Sequence, residues 1–129
     1  MNRPKHLSLI KIRLLVDSNV CSAIVDSGCN VSCISDSLVK DLNLRQFPLN
    51  EIMNYKTADN VIQCLGRVKC NVTIGFKTST VQLYVVNSLN YSFILGLDLI
   101  SIFNLEISPG LQVFQHINVN GLEHKEEIL

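Results

Sequence analysis

The sequence predicts an all-β domain, a small barrel or sandwich with one or two short helices. Apolar residues recur with a period of two, the spacing of a half-buried strand. Turn-forming residues divide the chain into many short segments. With 129 residues, 47% of them hydrophobic and 17% charged, the chain is long enough for one core and too apolar for disorder.

Ile10, Ile12, Leu14 and Val16 alternate with Lys11, Arg13 and Leu15, which makes the first strand. Asp17-Ser18-Asn19 is a turn signal, because these side chains hydrogen-bond their own backbone. Val20 to Val25 follows as a second strand, interrupted by Asp26-Ser27-Gly28, and Val31 to Ile34 reads as a short return strand. Ser35 offers an N-cap to a helix whose Leu38, Val39 and Leu42 share one face. Asn43 can close that helix, and Pro48 marks a loop. Ile52 to Ala58 and Val61 to Leu65 flank Asp59-Asn60, both tolerant of positive φ, so a hairpin is expected there. Val68, Cys70, Val72 and Ile74 alternate with Lys69, Asn71 and Thr73, and Gly75 turns the chain into Phe76 to Val86. Tyr91 to Leu95 is an apolar run ending at Gly96, and Leu97 to Phe103 suits a second short helix. Pro109-Gly110 precedes a last strand at Leu111 to Phe114. From His116 onward charge replaces apolar content, so a domain over 1–115 with a flexible tail or linker over 116–129 is expected.

Composition narrows the function. Eleven basic residues balance eleven acidic ones, and Trp is absent, so neither a basic field nor stacking platforms favour nucleic-acid binding. The longest uncharged window, Thr78 to Leu97, holds too many Ser, Thr, Asn and Gln for a membrane span, and the N-terminus lacks the apolar stretch of a signal peptide. Five cysteines without a CxxC pair, and histidines only at 6, 116 and 124, argue against a metal site. Reduced, mostly buried thiols in a cytoplasmic protein without cofactor are expected.

Three Asp-Ser pairs occur, at 17, 26 and 36. The first suits a surface turn and the third a helix start. Asp26 differs, because the apolar strand Ala23-Ile24-Val25 precedes it and Gly28 follows. A carboxylate at the end of an apolar strand is expensive unless hydrogen-bonded or partly neutralised. Gly28 lets the backbone bend and present N–H groups to it. On the tripeptide alone, a turn cap is the more economical reading. A second feature alters the balance: Phe93-Ile94-Leu95 is an apolar strand running straight into Gly96-Leu97-Asp98.

Ile24-Val25-Asp26-Ser27-Gly28, a hairpin with the polar tip Thr57-Ala58-Asp59-Asn60, the later Gly66, and Ile94-Leu95-Gly96 together resemble the retroviral-type aspartic proteases. The likeness is nearest to the retrotransposon-encoded and Ddi-like branches, and runs from Ile10 to Phe114. Ser32, Ile34 and Ser35 match the family's run after the active-site triplet. The resemblance implies a retropepsin-like acid-protease barrel, one lobe per chain, active as a homodimer on peptide or polyprotein substrates. It implies that Asp26 is the catalytic acid, that the Ser27 hydroxyl bonds across the subunit boundary, and that Gly28 admits substrate. Thr57, Ala58, Asp59 and Asn60 would form a flap tip, while Ile94, Leu95 and Gly96 support the site from beneath. Cys29 and Asn30 depart from the family's small residues after the triplet, and Asp59-Asn60 from its Gly-containing flap.

Aspartic proteolysis uses two carboxylates around one water, and this chain has one suitable Asp. Asp98, after a Gly at a helix start, reads as a cap or structural partner. The pair is then two copies of Asp26 on a two-fold axis. Two charges 4 Å apart repel by ~4 kcal/mol at an effective dielectric of 20, which spreads their titration over about three pH units. An endopeptidase processing a retroelement polyprotein is the leading expectation. A Ddi-like cellular protease domain and a catalytically inactive dimeric peptide-binding module of the same fold are the alternatives.

Overall fold

A computed structural model describes residues 9–51, 53–56, 61–87 and 90–128. Its first hairpin joins β1 (Ile10–Val16) to β2 (Asn19–Val25) through Asp17 and Ser18. Both turn residues are left-handed, with φ of 46° and 73°, as a two-residue turn between twisted strands demands. Asp17 is held there by β6 (Val61–Ile74): its N–H donates to the Asn71 carbonyl at 2.8 Å, and its Oδ1 accepts the Asn71 N–H at 2.8 Å.

β3 (Cys33–Ser35) leads into α1 (Asp36–Asp41). The Ser35 hydroxyl accepts the Leu38 N–H at 3.1 Å, the cap expected from sequence, and Asn43 leaves the helix with φ of 55°. β4 (Gln46–Phe47) and β5 (Met53–Lys56) both pair with β6, and β7 (Lys77–Val86) returns alongside it. β6 is one long strand where sequence suggested two segments. The register shifts between Cys64 and Gly66, and Gly66 stays in the strand because a Cβ there would lie 2.7 Å from the Phe47 carbonyl oxygen of β4. β8 (Phe93–Leu95), α2 (Leu97–Ile102) and β9 (Leu105–Ile107) follow.

The expected barrel forms. Strands run in the order β1-β2-β8-β3-β7-β6, and β6 pairs back onto β1 through Leu15 with Thr73 and Val16 with Val72. Alternation fills it: Ile12, Leu14 and Val16 of β1 point inward with Val68, Cys70, Val72 and Ile74 of β6 and Val81, Leu83 and Val85 of β7. Phe93, Leu95, Leu99 and Phe103 close the core beneath β8 and α2. Each such side chain contributes about 1.5–3 kcal/mol by leaving water. Among the described residues no helix is long and apolar enough to cross a membrane.

The end of the chain corrects the sequence reading. Residues 116–128, expected as a flexible tail, belong to β10 (Val113–Val119) and β11 (Leu122–Ile128), which form a three-stranded sheet with β9. The last strand expected at Leu111 to Phe114 accordingly begins later and runs further. Asn120 and Gly121, with φ of 54° and 82°, make the two-residue turn. Charge pairing across strands replaces apolar alternation: His116 on β10 reaches Glu106 on β9 at 2.9 Å and Glu123 on β11 at 2.8 Å, and Lys125 reaches Glu106 at 2.8 Å. Buried Gln115 ties this sheet to the barrel. Its Nε2 donates to the carbonyls of Ile74 and Phe103, and its Oε1 accepts the Phe76 N–H at 2.9 Å.

Candidate active site

β2 and β8 run parallel, pairing Ile24 with Ile94 and Val25 with Leu95. Asp26 is the next residue of β2's chain, and its N–H donates to the Leu95 carbonyl at 2.9 Å. The ladder thus ends on the backbone of Asp26 and fixes where its carboxylate starts. The chain then folds tightly, with the Cys29 N–H donating to the Asp26 carbonyl at 3.1 Å.

The Asp26 side chain is half-buried, and its two oxygens have different partners. Oδ1 accepts the Gly28 N–H at 2.9 Å, and Oδ2 accepts the Cys29 thiol at 3.4 Å. A Cβ on Gly28 would sit 3.1 Å from Oδ1, so the absence of a side chain keeps that approach close. Ser27 and Gly28 are exposed. The Cys29 thiol is pushed up to about 11, first by burial, then by its hydrogen bond to Asp26 and that carboxylate's charge. The Cys33 thiol behind it is pushed up to about 12, mainly by burial. All five cysteines are free thiols; Cys21, Cys64 and Cys70 are buried and the other two half-buried.

A second loop carries the first. A Cβ on Gly96 would lie 2.7 Å from the Cys29 carbonyl oxygen and 2.8 Å from that of Val31. Leu97 N–H donates to the Cys29 carbonyl at 2.8 Å, and Asp98 N–H to that of Asn30 at 3.3 Å. Ser32, fully buried, is the hub. Its hydroxyl donates to Asp98 Oδ1 at 2.6 Å and accepts the Gly96 N–H at 2.8 Å, while its own N–H donates to Asp98 Oδ2 at 3.1 Å. Asp98 Oδ1 also accepts the Leu99 N–H at 2.8 Å. Asp98 is thus a structural partner, engaged by three donors.

Asp26, Ser27, Gly28, Ile94, Leu95 and Gly96 therefore come together at one end of the barrel, while Thr57, Ala58, Asp59 and Asn60 lie outside the described residues. β5 and β6 on either side of them pair Lys56 with Val61. Sequence reasoning singled out neither the Ser32 hub nor the Cys29 bond. A serine inside the apolar run Val31 to Ile34 was the available signal for the first. Among the described residues no cluster of three metal-ligating side chains occurs.

Residues 22–109 match the sequence model of the PEG10/RTL1 protease domain. The fold is similar to that of the retroviral protease-like domain of Ddi1 from Leishmania major (TM-score 0.63, 13% identity, covering 95% of this chain and 96% of that one). It is similar to EIAV protease complexed with the inhibitor HBY-793 (TM-score 0.67, 10% identity, 83% and 99% covered). A retropepsin-like aspartic protease from Rickettsia conorii aligns with TM-score 0.56 and 19% identity, covering 81% and 79%. At these identities the likenesses show the fold. Comparison with curated proteins returns no match.

Proposed function

Because this chain belongs to the PEG10/RTL1 protease-domain family, we propose that it is an aspartic endopeptidase whose catalytic acid is Asp26, completed by Asp26 of a second copy. The observation that carries the reading is the seat of that carboxylate. It stands half-exposed at the end of a buried strand, with one oxygen fixed by the Gly28 N–H. Asp98 is consumed by Ser32 and Leu99, so the second acid is sought in an identical partner. A cleft of about 710 Å³ in the single chain lies between α2 and β10, and Asp26 is not among its lining residues.

In this mechanism one Asp26 carboxylate takes a proton from a water held between the pair. The water oxygen attacks the scissile carbonyl carbon, whose oxygen takes a proton from the other, protonated Asp26. The tetrahedral diol then collapses: the C–N bond breaks, the amine leaves with the proton the first carboxyl group took from water, and a diol hydroxyl returns its proton to the second carboxylate, which regenerates the dyad and leaves a carboxylic acid product. The Ser27 hydroxyl braces the two loops across the axis. The substrate is an extended peptide that hydrogen-bonds as a strand between the β5–β6 hairpin and the cleft floor. A retroelement polyprotein is the substrate class we favour.

Asp26→Asn tests the reading on a peptide mixture. Cleavage should vanish while the circular dichroism and the solution mass of the dimer are unchanged. Substantial residual cleavage removes Asp26 from the mechanism. A wild-type protein that binds peptides without cutting them supports the inactive-module alternative.

A further inference from the structure

We propose that Cys29 is a positioning residue of the hydrolytic centre, its thiol donating to Asp26 Oδ2 and thereby setting how readily the aspartate pair takes up a proton. This deepens the aspartic-protease reading and rests on it. The thiol sits 3.4 Å from Oδ2, while Oδ1 is held by the Gly28 amide. The carboxylate is therefore gripped unequally, by a strong donor on one oxygen and a weak one on the other.

The Cys29 backbone is fixed, which sets where the thiol starts. Its N–H is tied to the Asp26 carbonyl and its own carbonyl to the Leu97 N–H, with Gly96 packed directly beneath. Burial and the neighbouring carboxylate hold the thiol protonated, with its titration pushed up to about 11, so at working pH it is a donor and not a nucleophile. The other titratable groups of the surrounding elements do not compete for Oδ2. Asp98 on α2 is occupied by Ser32 and the Leu99 N–H. Cys33 on β3 is pushed up to about 12, and burial raises Cys64 on β6 as well. In the proposed dimer the Asp26 carboxylate of the second copy adds a like charge beside it.

A donor to the ionised form favours that form. Removing the thiol should move the acidic limb of activity to higher pH, and a stronger hydroxyl donor should move it lower. The experiment compares pH profiles of kcat/KM for wild type, Cys29→Ala and Cys29→Ser on one peptide. The acidic limb should fall in the order Ala, Cys, Ser from high to low pH, with steps of about half a pH unit. Infrared difference spectra, with Cys29→Ser identifying the band, report the Cys29 S–H stretch directly. Asp26→Asn should shift that band as the charged acceptor is lost. Coincident acidic limbs in an active enzyme, or a band indifferent to Asp26→Asn, overturn the inference and leave the protease reading standing. A wild type that cuts nothing while its S–H band still responds to Asp26→Asn overturns the protease reading and the catalytic half of this one.

Discussion

Replacing Gly96 by alanine isolates what holds the two loops together. Gly96 has φ of −95° and ψ of −172°, a conformation open to any residue, so backbone strain does not enter. The effect is steric. The new methyl would meet the Cys29 carbonyl oxygen at 2.7 Å, the Val31 carbonyl oxygen at 2.8 Å and the Val31 carbonyl carbon at 2.9 Å, all backbone atoms with no flexible end to yield. Overpacking of this kind costs about 1–3 kcal/mol. Parting the loops also stretches the 2.8 Å bond from Gly96 N–H to the buried Ser32 hydroxyl, worth about 1 kcal/mol net. Lower entropy of the unfolded chain returns about 0.4–1 kcal/mol. The balance is a loss of about 1–3.5 kcal/mol, read from urea unfolding at fixed protein concentration, so that association does not confound it. Gly110→Ala is the control. Its Cβ would meet only the Ser108 hydroxyl at 3.8 Å, so nothing opposes the same entropic gain and it should be about 0.4–1 kcal/mol more stable than wild type. A Gly96→Ala protein as stable as the control would refute the close approach.

Ser32→Ala should cost about 2–3 kcal/mol in the same assay, because it strips a donor from the Asp98 carboxylate and leaves the buried Gly96 N–H unpaired; a loss under about 1 kcal/mol contradicts the hub. Gln115→Leu leaves the Ile74 and Phe103 carbonyls and the Phe76 N–H without their partner, and should abolish slow hydrogen exchange at Phe76 while the barrel amides stay protected. The β9–β11 sheet should show a stability optimum in pH. Hydrogen bonds to Glu106 and Glu123 raise His116 above its ordinary 6.5, so its contribution is full below that value and is lost as pH rises through the raised one. Hydrogen bonds from Lys125 and His116 lower Glu106 below its ordinary 4.5, so that contribution is full above 4.5 and is lost as pH falls through the lowered one. Protection of the β10 and β11 amides, taken relative to the intrinsic exchange rate at each pH, should therefore be greatest between about 4.5 and 6.5, and His116→Ala should remove the alkaline limb. An unchanged alkaline limb would dismiss the histidine.

The barrel was legible because its strands obey a simple rule: Ile12, Leu14 and Val16 face in, Lys11 and Arg13 face out, and β6 repeats the pattern over twice the length. Ser35 as a cap, Asp17-Ser18 as a turn and Asp26-Ser27-Gly28 as a loop were likewise readable, each being a local matter of backbone hydrogen bonding. β11 was not, because Leu122 to Ile128 is exposed almost throughout and is held by its backbone ladder to β10 and by ion pairs to His116 on β10 and Glu106 on β9 rather than by a buried face. The Asn120-Gly121 dipeptide was the overlooked signal, since both residues accept positive φ at little cost. The Ser32–Asp98 link joins positions far apart in sequence, and no local pattern announces such a contact. Gly66, lying between the two expected segments, serves the passage of β4, which only the neighbour's position reveals.

The parallel pairing of β2 with β8 also orders events in time. A ribosome that has released only the first hairpin and its loop has already made Asp26, yet Leu95, Gly96 and Asp98 are still unsynthesised. The nascent aspartate therefore has nowhere to sit until nearly the whole barrel has emerged. Premature termination between Asp26 and β8 yields a polypeptide carrying this aspartate without its cradle. Translation itself thus delays completion of the paired loops, by a time set by how late in the message the second glycine loop is written.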